Sequence, residues 1–197
     1  MANPCQSAWQ RKWLGLDVTA PPVQRMADEV EQFIKRWFLH DTCKSLLVLI
    51  GNSGTGKTHA ARAIYKFARA ASNTAYEKGH WGSTVPGSHW LSWPEVTDGF
   101  KNGCYSVTES AIETSLLVLD DVGAEHDPSR NAADKLCQIL SRREFRFTVI
   151  TTNIVPTAWS QRFDVRITDR LMRNSVLVDL SGITSYAVTQ LINQEAA

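Results

Sequence analysis

Apolar residues recur at three- and four-residue spacing through Val23, Met26, Val30, Phe33, Ile34, Trp37 and Phe38, while Arg25, Glu29, Glu31 and Lys35 fall elsewhere. This period predicts an amphipathic helix opened by Pro21 and Pro22, with one buried face. The pattern then changes. Leu46–Ile50 is an unbroken aliphatic run stopped by Gly51, as expected of a strand covered on both faces in a parallel sheet. Ser115 to Asp120 repeats this signature through Leu116, Leu117, Val118 and Leu119, and further strands are predicted at 147–152, 176–180 and, weakly, 89–91. Helices are predicted between them. One spans 57 to about 71, and one starts at Trp93 and Pro94, where Ser92 and Glu95 have capping-box spacing. Another follows Asp127 and Pro128, with Leu136, Ile139 and Leu140 sharing a face, and a last helix covers 186–192. Residues 72–87, holding Gly79, Gly82, Pro86 and Gly87, read as a loop, and the first 20 residues as an arm. Strands alternating with helices imply an α/β fold in three layers, with right-handed crossovers around a central parallel five-stranded sheet.

Composition narrows the class. At 197 residues, 43% hydrophobic and 21% charged, the chain suits one globular unit and excludes low-complexity and disordered classes. A net charge of +1 argues against coating nucleic acid by bulk charge, leaving only a local basic face. Cys5, Cys43, Cys104 and Cys137 form no C-x-x-C pair, so neither a zinc site nor a disulfide framework is signalled. No run approaches a membrane span, and the start has no apolar signal core, so the expectation is a soluble, cytoplasmic protein without a membrane partner. The organisation read from the pattern is an arm with an amphipathic helix over 1–44 and a core over 45–197.

The chemistry starts where the first aliphatic run ends. Gly51-Asn52-Ser53-Gly54-Thr55-Gly56-Lys57-Thr58 fits G-x-x-x-x-G-K-[ST] at every specified position, between a predicted strand and a predicted helix. In such a loop, backbone N–H groups turn inward around phosphate oxygens and the helix N-terminus adds partial positive charge. Lys57 then reaches the terminal phosphates of ATP, and the Thr58 hydroxyl coordinates Mg²⁺. Asp120 and Asp121 follow the second aliphatic run, on the same edge of the sheet. Asp120 is the candidate for holding Mg²⁺ and Asp121 for orienting the attacking water, with an acidic turn that merely ends a strand as the bland alternative.

Together these residues resemble the AAA+ ATPases, a P-loop NTPase class, and within them the branch of DnaC-type helicase loaders and IstB-type transposition helpers. The resemblance rests on the run from Gly54 to His59 followed by Ala60 and Ala61, on the stretch from Leu116 to Glu125, on Thr151-Thr152-Asn153, and on the segment from Arg166 to Leu171. It spans about residues 46–180. It implies that Asn153 is a sensor contacting the γ-phosphate or the attacking water, and that Arg170 is an arginine finger supplied in trans by a neighbouring copy, with Arg166 as second choice. The lesser alternatives are that Asn153 simply ends its strand and that Arg170 pairs with a surface acid. Many AAA+ proteins have Glu where Asp121 stands, so slow turnover without a partner is expected. After residue 180 only one helix fits, so the fold expected is an AAA+ core lacking a C-terminal helical lid.

The resulting expectation is an ATP-hydrolysing assembly factor that self-associates through its ATP site and acts on DNA or a DNA-bound partner such as a helicase or transposase. A nucleotide-gated switch with little hydrolysis is the alternative. A small-molecule P-loop kinase fits less well, because no Arg-rich lid is evident. For DNA, Lys78, His80, Trp81, His89, Trp90 and Trp93 interleave basic and aromatic residues that either stack bases or pack a strand and its flanking loop. Arg142, Arg143 and Arg146 form a second basic cluster, readable also as a solvated helix end.

Overall fold

The computed structural model describes residues 9, 14, 20–77, 87–101, 109, 111–126 and 131–186, including the backbone alone of 73–77 and 101. Helix α1 (Pro21–Leu39) buries Val23, Met26, Val30, Phe33, Ile34 and Trp37, the face that the spacing predicts. After it come β1 (Leu46–Ile50), α2 (Lys57–Glu77), β2 (Ser88–Ser92), α3 (Trp93–Lys101) and β3 (Leu116–Val122). The chain continues through α4 (Asn131–Arg142), β4 (Phe147–Thr152), a 3-10 turn (Pro156–Ala158), α5 (Trp159–Arg162), α6 (Val165–Met172) and β5 (Ser175–Asp179).

The five strands form one sheet in the order β2-β3-β4-β1-β5, with every pairing parallel. Strand alternation divides the core into two halves. Leu47, Leu49, Leu116, Val118, Val149 and Val176 pack against α1 and α2, whereas Leu46, Val48, Ile50, Leu117, Leu119 and Ile150 pack against α3, α4, α5 and α6. The outcome is the three-layer α/β fold, in which every residue of β1 and β4 is buried.

For the site, the decisive feature is that β4 lies between β1 and β3. Thr152 stands opposite Ile50 on one side and Val122 on the other, so the carboxyl ends of all three strands share one edge. Strand β3 runs two residues past Asp120, and its register with β4 slips between Leu119 and Val122. This β-bulge puts Asp121 at φ 58° and Gly123 at φ 92°.

Several elements depart from the sequence reading. Residues 72–77 continue α2 rather than forming a loop. Residues 57–78 contain neither Gly nor Pro, and the Ser72 hydroxyl donates to the Ala68 carbonyl within the helix, 2.9 Å away. Helices α5 and α6 were not foreseen, although Asp164 caps α6 by accepting from the Ile167 amide at 3.0 Å. The unpatterned arm contains Leu14, fully buried in the α1 and α2 half of the core, and Trp9, edge-on to Phe67. The Asp127-Pro128 helix start and the helix over 186–192, apart from Tyr186, lie outside the described residues.

Arg143 corrects the reading of the basic cluster as a solvated helix end. It is 3% exposed, and its guanidinium donates to the carbonyls of Ala111, Ile112, Thr114 and Phe147 and to the Thr148 hydroxyl at 2.7–3.0 Å. Burial lowers its pKa to about 9, Arg146 adds to the shift and Glu113 opposes it. This side chain clips the segment before β3 to the start of β4 and satisfies carbonyls that are mostly buried. Arg146 pairs with Glu113 at 3.0 Å on the rim. Arg143→Leu is therefore expected to lower the free energy of unfolding by about 3–5 kcal/mol in urea titrations, because it strands several buried acceptors. A loss below about 1 kcal/mol would show that those carbonyls find other donors.

Candidate nucleotide site

The phosphate loop occupies the turn from β1 into α2. Thr55 and Lys57 are buried, while Asn52, Ser53 and Gly54 are exposed. Lys57 Nζ donates to the Asn52 carbonyl at 2.8 Å, and Thr55 Oγ1 donates to the same oxygen at 3.0 Å. The lysine thus folds over the loop whose amides it would complement. Gly54 has φ 81°, and a Cβ there would come 2.1 Å from Ser185 Oγ, so only glycine fits both the turn and the contact. The chain after β5 lies directly on this loop: Leu180 N–H donates to the Ile50 carbonyl at 2.7 Å and Tyr186 N–H to the Gly54 carbonyl at 3.0 Å. His59, in the first turn of α2, donates through Nε2 to the Leu14 carbonyl, which anchors the arm beside the loop.

Asp120 meets the loop from the other side of β4. Its Oδ1 accepts from Thr58 Oγ1 at 3.0 Å and from Thr151 Oγ1 at 2.7 Å. Thr58 and Asp120 thus converge as an oxygen-only pair, the donor type that suits Mg²⁺. Asp121 is half-buried one residue further, its amide donating to Thr151 Oγ1 at 2.8 Å. Burial raises the Asp121 pKa above the usual carboxylate range, Asp120 adds to the rise and Lys57 opposes it. Lys57 is shifted the other way: burial lowers its pKa, against the pull of Asp121 and Asp120. Two carboxylates and one ammonium therefore share a partly desolvated cleft edge, the arrangement expected where phosphate charge is handled.

Asn153 follows β4 directly and is exposed at this edge of the sheet. Below it, Gly123 N–H donates to Glu125 Oε2 at 2.7 Å, and Arg162 donates to both the Glu125 carboxylate and its carbonyl. That buried carboxylate fixes the turn after β3 against α5.

Arg170 is elsewhere. It lies in a cleft with Ser45, Leu46, Thr148 and Asn174, at the amino ends of β1, β4 and β5. A five-residue strand, about 16 Å, separates that end from the phosphate loop of the same chain. The surface ion-pair role belongs to Arg166, which bonds to Asp164 and lies 3.4 Å from Asp134. Arg170 donates to the Arg166 carbonyl at 3.1 Å and has no carboxylate partner among the described residues. Phe145, 59% exposed, lines the same cleft.

Of the aromatic and basic residues considered for stacking bases, Trp93 is fully buried in the core, and Trp90 packs edge-on to Tyr65 under Arg62. Packing explains both. Lys78, His80 and Trp81 lie outside the described residues. The residue that sequence reasoning missed is Thr151. It stands in the Thr151-Thr152-Asn153 motif, where the sequence assigned a role to Asn153 alone.

Comparison with known proteins follows the same lines. Among solved structures, that of DnaI superimposes with a TM-score of 0.66 at 20% identity, covering 92% of this chain and 98% of that one. AMPPCP-bound DnaA from Aquifex aeolicus gives 0.62 at 15% identity, covering 93% of this chain and 54% of that one. The Aeropyrum pernix ORC1 protein in complex with DNA gives 0.54 at 14%, covering 95% and 53%. The chain thus spans about half the length of those DnaA and ORC1 chains, and at such identities the likeness is one of fold. No curated protein sequence matches. The family of the IstB-like ATP binding protein matches residues 38–190, which contain the phosphate loop, both aspartates, Asn153 and Arg170. The chain therefore belongs to the IstB-like ATP-binding family, with the three-layer core of AAA+ proteins.

Proposed function

We propose that this protein is an ATP-hydrolysing assembly factor whose copies associate head to tail, and that it acts on DNA or on a DNA-bound protein such as a helicase or transposase. The observation that carries the reading is the distance between Arg170 and the phosphate loop. An arginine with no carboxylate partner among the described residues, one strand length away from its own phosphate loop and in a cleft it shares with exposed Phe145, is suited to serve a neighbouring copy's ATP.

In this reading the amides of Gly51 to Gly56 cradle the phosphates, and Lys57 leaves the Asn52 carbonyl for the terminal phosphates. Thr58 and Asp120 hold Mg²⁺, which neutralises charge on the β- and γ-phosphates when bound. Asp121 orients the attacking water, Asn153 contacts that water or the γ-phosphate, and the neighbour's Arg170 stabilises charge as the transition state forms. DNA-bound ORC1 and AMPPCP-bound DnaA have the same fold, which supports a nucleotide-dependent role on DNA. A second reading, a nucleotide-gated switch with little hydrolysis, is favoured by Asp121 itself. Its side chain is one methylene shorter than Glu, and its pKa is raised. Light scattering after size exclusion tests the assembly: ATP should raise the particle mass and DNA should stimulate turnover, whereas a monomer with saturating ATP and no DNA stimulation would reject it.

Mixing tests the finger directly. Arg170→Ala and Asp121→Asn should each lack turnover, while an equal mixture should recover about a quarter of wild-type activity, because one in four random interfaces joins an intact site to an intact finger. A silent mixture would exclude action in trans.

Asp121→Asn also carries a stability signature. With its pKa raised in the folded state, Asp121 stabilises the fold in its protonated form and loses that contribution as pH rises through the folded pKa. The Asn variant should therefore bind nucleotide but release no phosphate, and melt above the wild type near neutral pH without ligand. The gap should close on acidification, and a lower melting temperature at neutral pH would contradict the assignment.

A further inference from the structure

Thr151 is the penultimate residue of β4, and none of its surface is exposed. Its Oγ1 lies 2.7 Å from Asp120 Oδ1 and 2.8 Å from the amide nitrogen of Asp121, while Thr58 Oγ1 lies 3.0 Å from that same Asp120 oxygen. An ionised carboxylate only accepts, so both threonine hydroxyls donate to Asp120, and their lone pairs face away from it. On Thr58 the remaining lone pairs are left for a cation. On Thr151 one of them accepts the Asp121 N–H. The four residues thus form one connected network that converges on Asp120: Thr58 donates to it from the side suited to Mg²⁺, and the Asp121 amide reaches it through the Thr151 hydroxyl.

Asp121 needs such a hold. It sits at φ 58°, in the left-handed region, at a bulge where the β3 and β4 register slips and the regular ladder supplies no partner for its amide. The Thr151 hydroxyl replaces the missing ladder bond. The next residue of β4 repeats the device structurally, Thr152 Oγ1 donating to the Val122 carbonyl at 2.7 Å, so the bulge is fastened to β4 by side chains in place of backbone.

We propose that Thr151 is a positioning residue for hydrolysis, setting the Asp121 carboxylate toward the attacking water and tying that setting to the Thr58 and Asp120 cation site. The proposal rests on the hydrolytic reading above. Removing the hydroxyl leaves the Thr58 to Asp120 contact in place, so nucleotide binding survives, but it frees the bulge to relax. Displacement of a reacting group by about 1 Å costs on the order of a hundredfold in rate.

The experiment compares Thr151→Val, which keeps the shape without the hydroxyl, with Thr151→Ser, which keeps the hydroxyl, in the full chain with Mg²⁺ and DNA present. Steady-state phosphate release and the affinity for a fluorescent ATP analogue are the readouts. Thr151→Val should lower kcat by about tenfold to a hundredfold with KM and nucleotide affinity within about threefold of wild type, and Thr151→Ser should restore kcat to within about threefold. Unchanged kcat in the Val variant, equal loss in the Ser variant, or loss of affinity together with kcat would overturn the proposal. If the Val variant does not fold, Thr151→Cys takes its place, since a thiol accepts and donates poorly and should show the same split. A wild-type chain that binds ATP but never releases phosphate removes the hydrolytic reading and Thr151 with it; wild-type turnover matched by the Val variant removes Thr151 alone.

Discussion

The carboxylate of Asp120 joins three elements that have no backbone bond in common at this point: α2 through Thr58, β4 through Thr151, and β3 on which it stands. Its position depends on the order of the sheet. Because β4 lies between β1 and β3, the phosphate loop and the acidic strand are separated by one strand width, close enough for two threonine side chains to span the gap. The nucleotide edge is thus a consequence of topology first and of side-chain choice second.

Charge follows the same geometry. Lys57, Asp120 and Asp121 are gathered in partly dry surroundings, and burial shifts the pKa values of Lys57 and Asp121 against their charged forms. Such a cluster is unfavourable for folding alone and suited to a ligand that brings both phosphate charge and a cation. The amino edge of the sheet shows the opposite economy. There Arg143 serves four carbonyls, Arg146 pairs with Glu113 and Arg173 with Asp169, leaving Arg170 with neither a carboxylate nor a set of buried carbonyls among the described residues.

Much of this was legible in the sequence because buried parallel strands write themselves as unbroken aliphatic runs: β1 and β4 have the predicted bounds, and the loop motif fixes where α2 starts. What escaped reading depended on partners distant in sequence. The extension of β3 through both aspartates requires a bulge that only pairing with β4 reveals. Thr151 looks like any β-branched strand residue until Asp120 is beside it. Arg143 reads as a cation at a helix end, and only the fold shows the carbonyls around it. Helices α5 and α6 are too short for periodicity to declare, and Asp164 as a cap was their one local sign.

The contact between Gly54 and Ser185 joins two positions 131 residues apart in the chain with no room for an added methyl group between them. A loop that must yield slightly as it wraps a phosphate can do so there only if the strap from 180 to 186 yields with it. The exit from the last strand is therefore mechanically part of the entrance to the nucleotide site, so a change in the strap is felt at the loop as directly as a change in the loop itself.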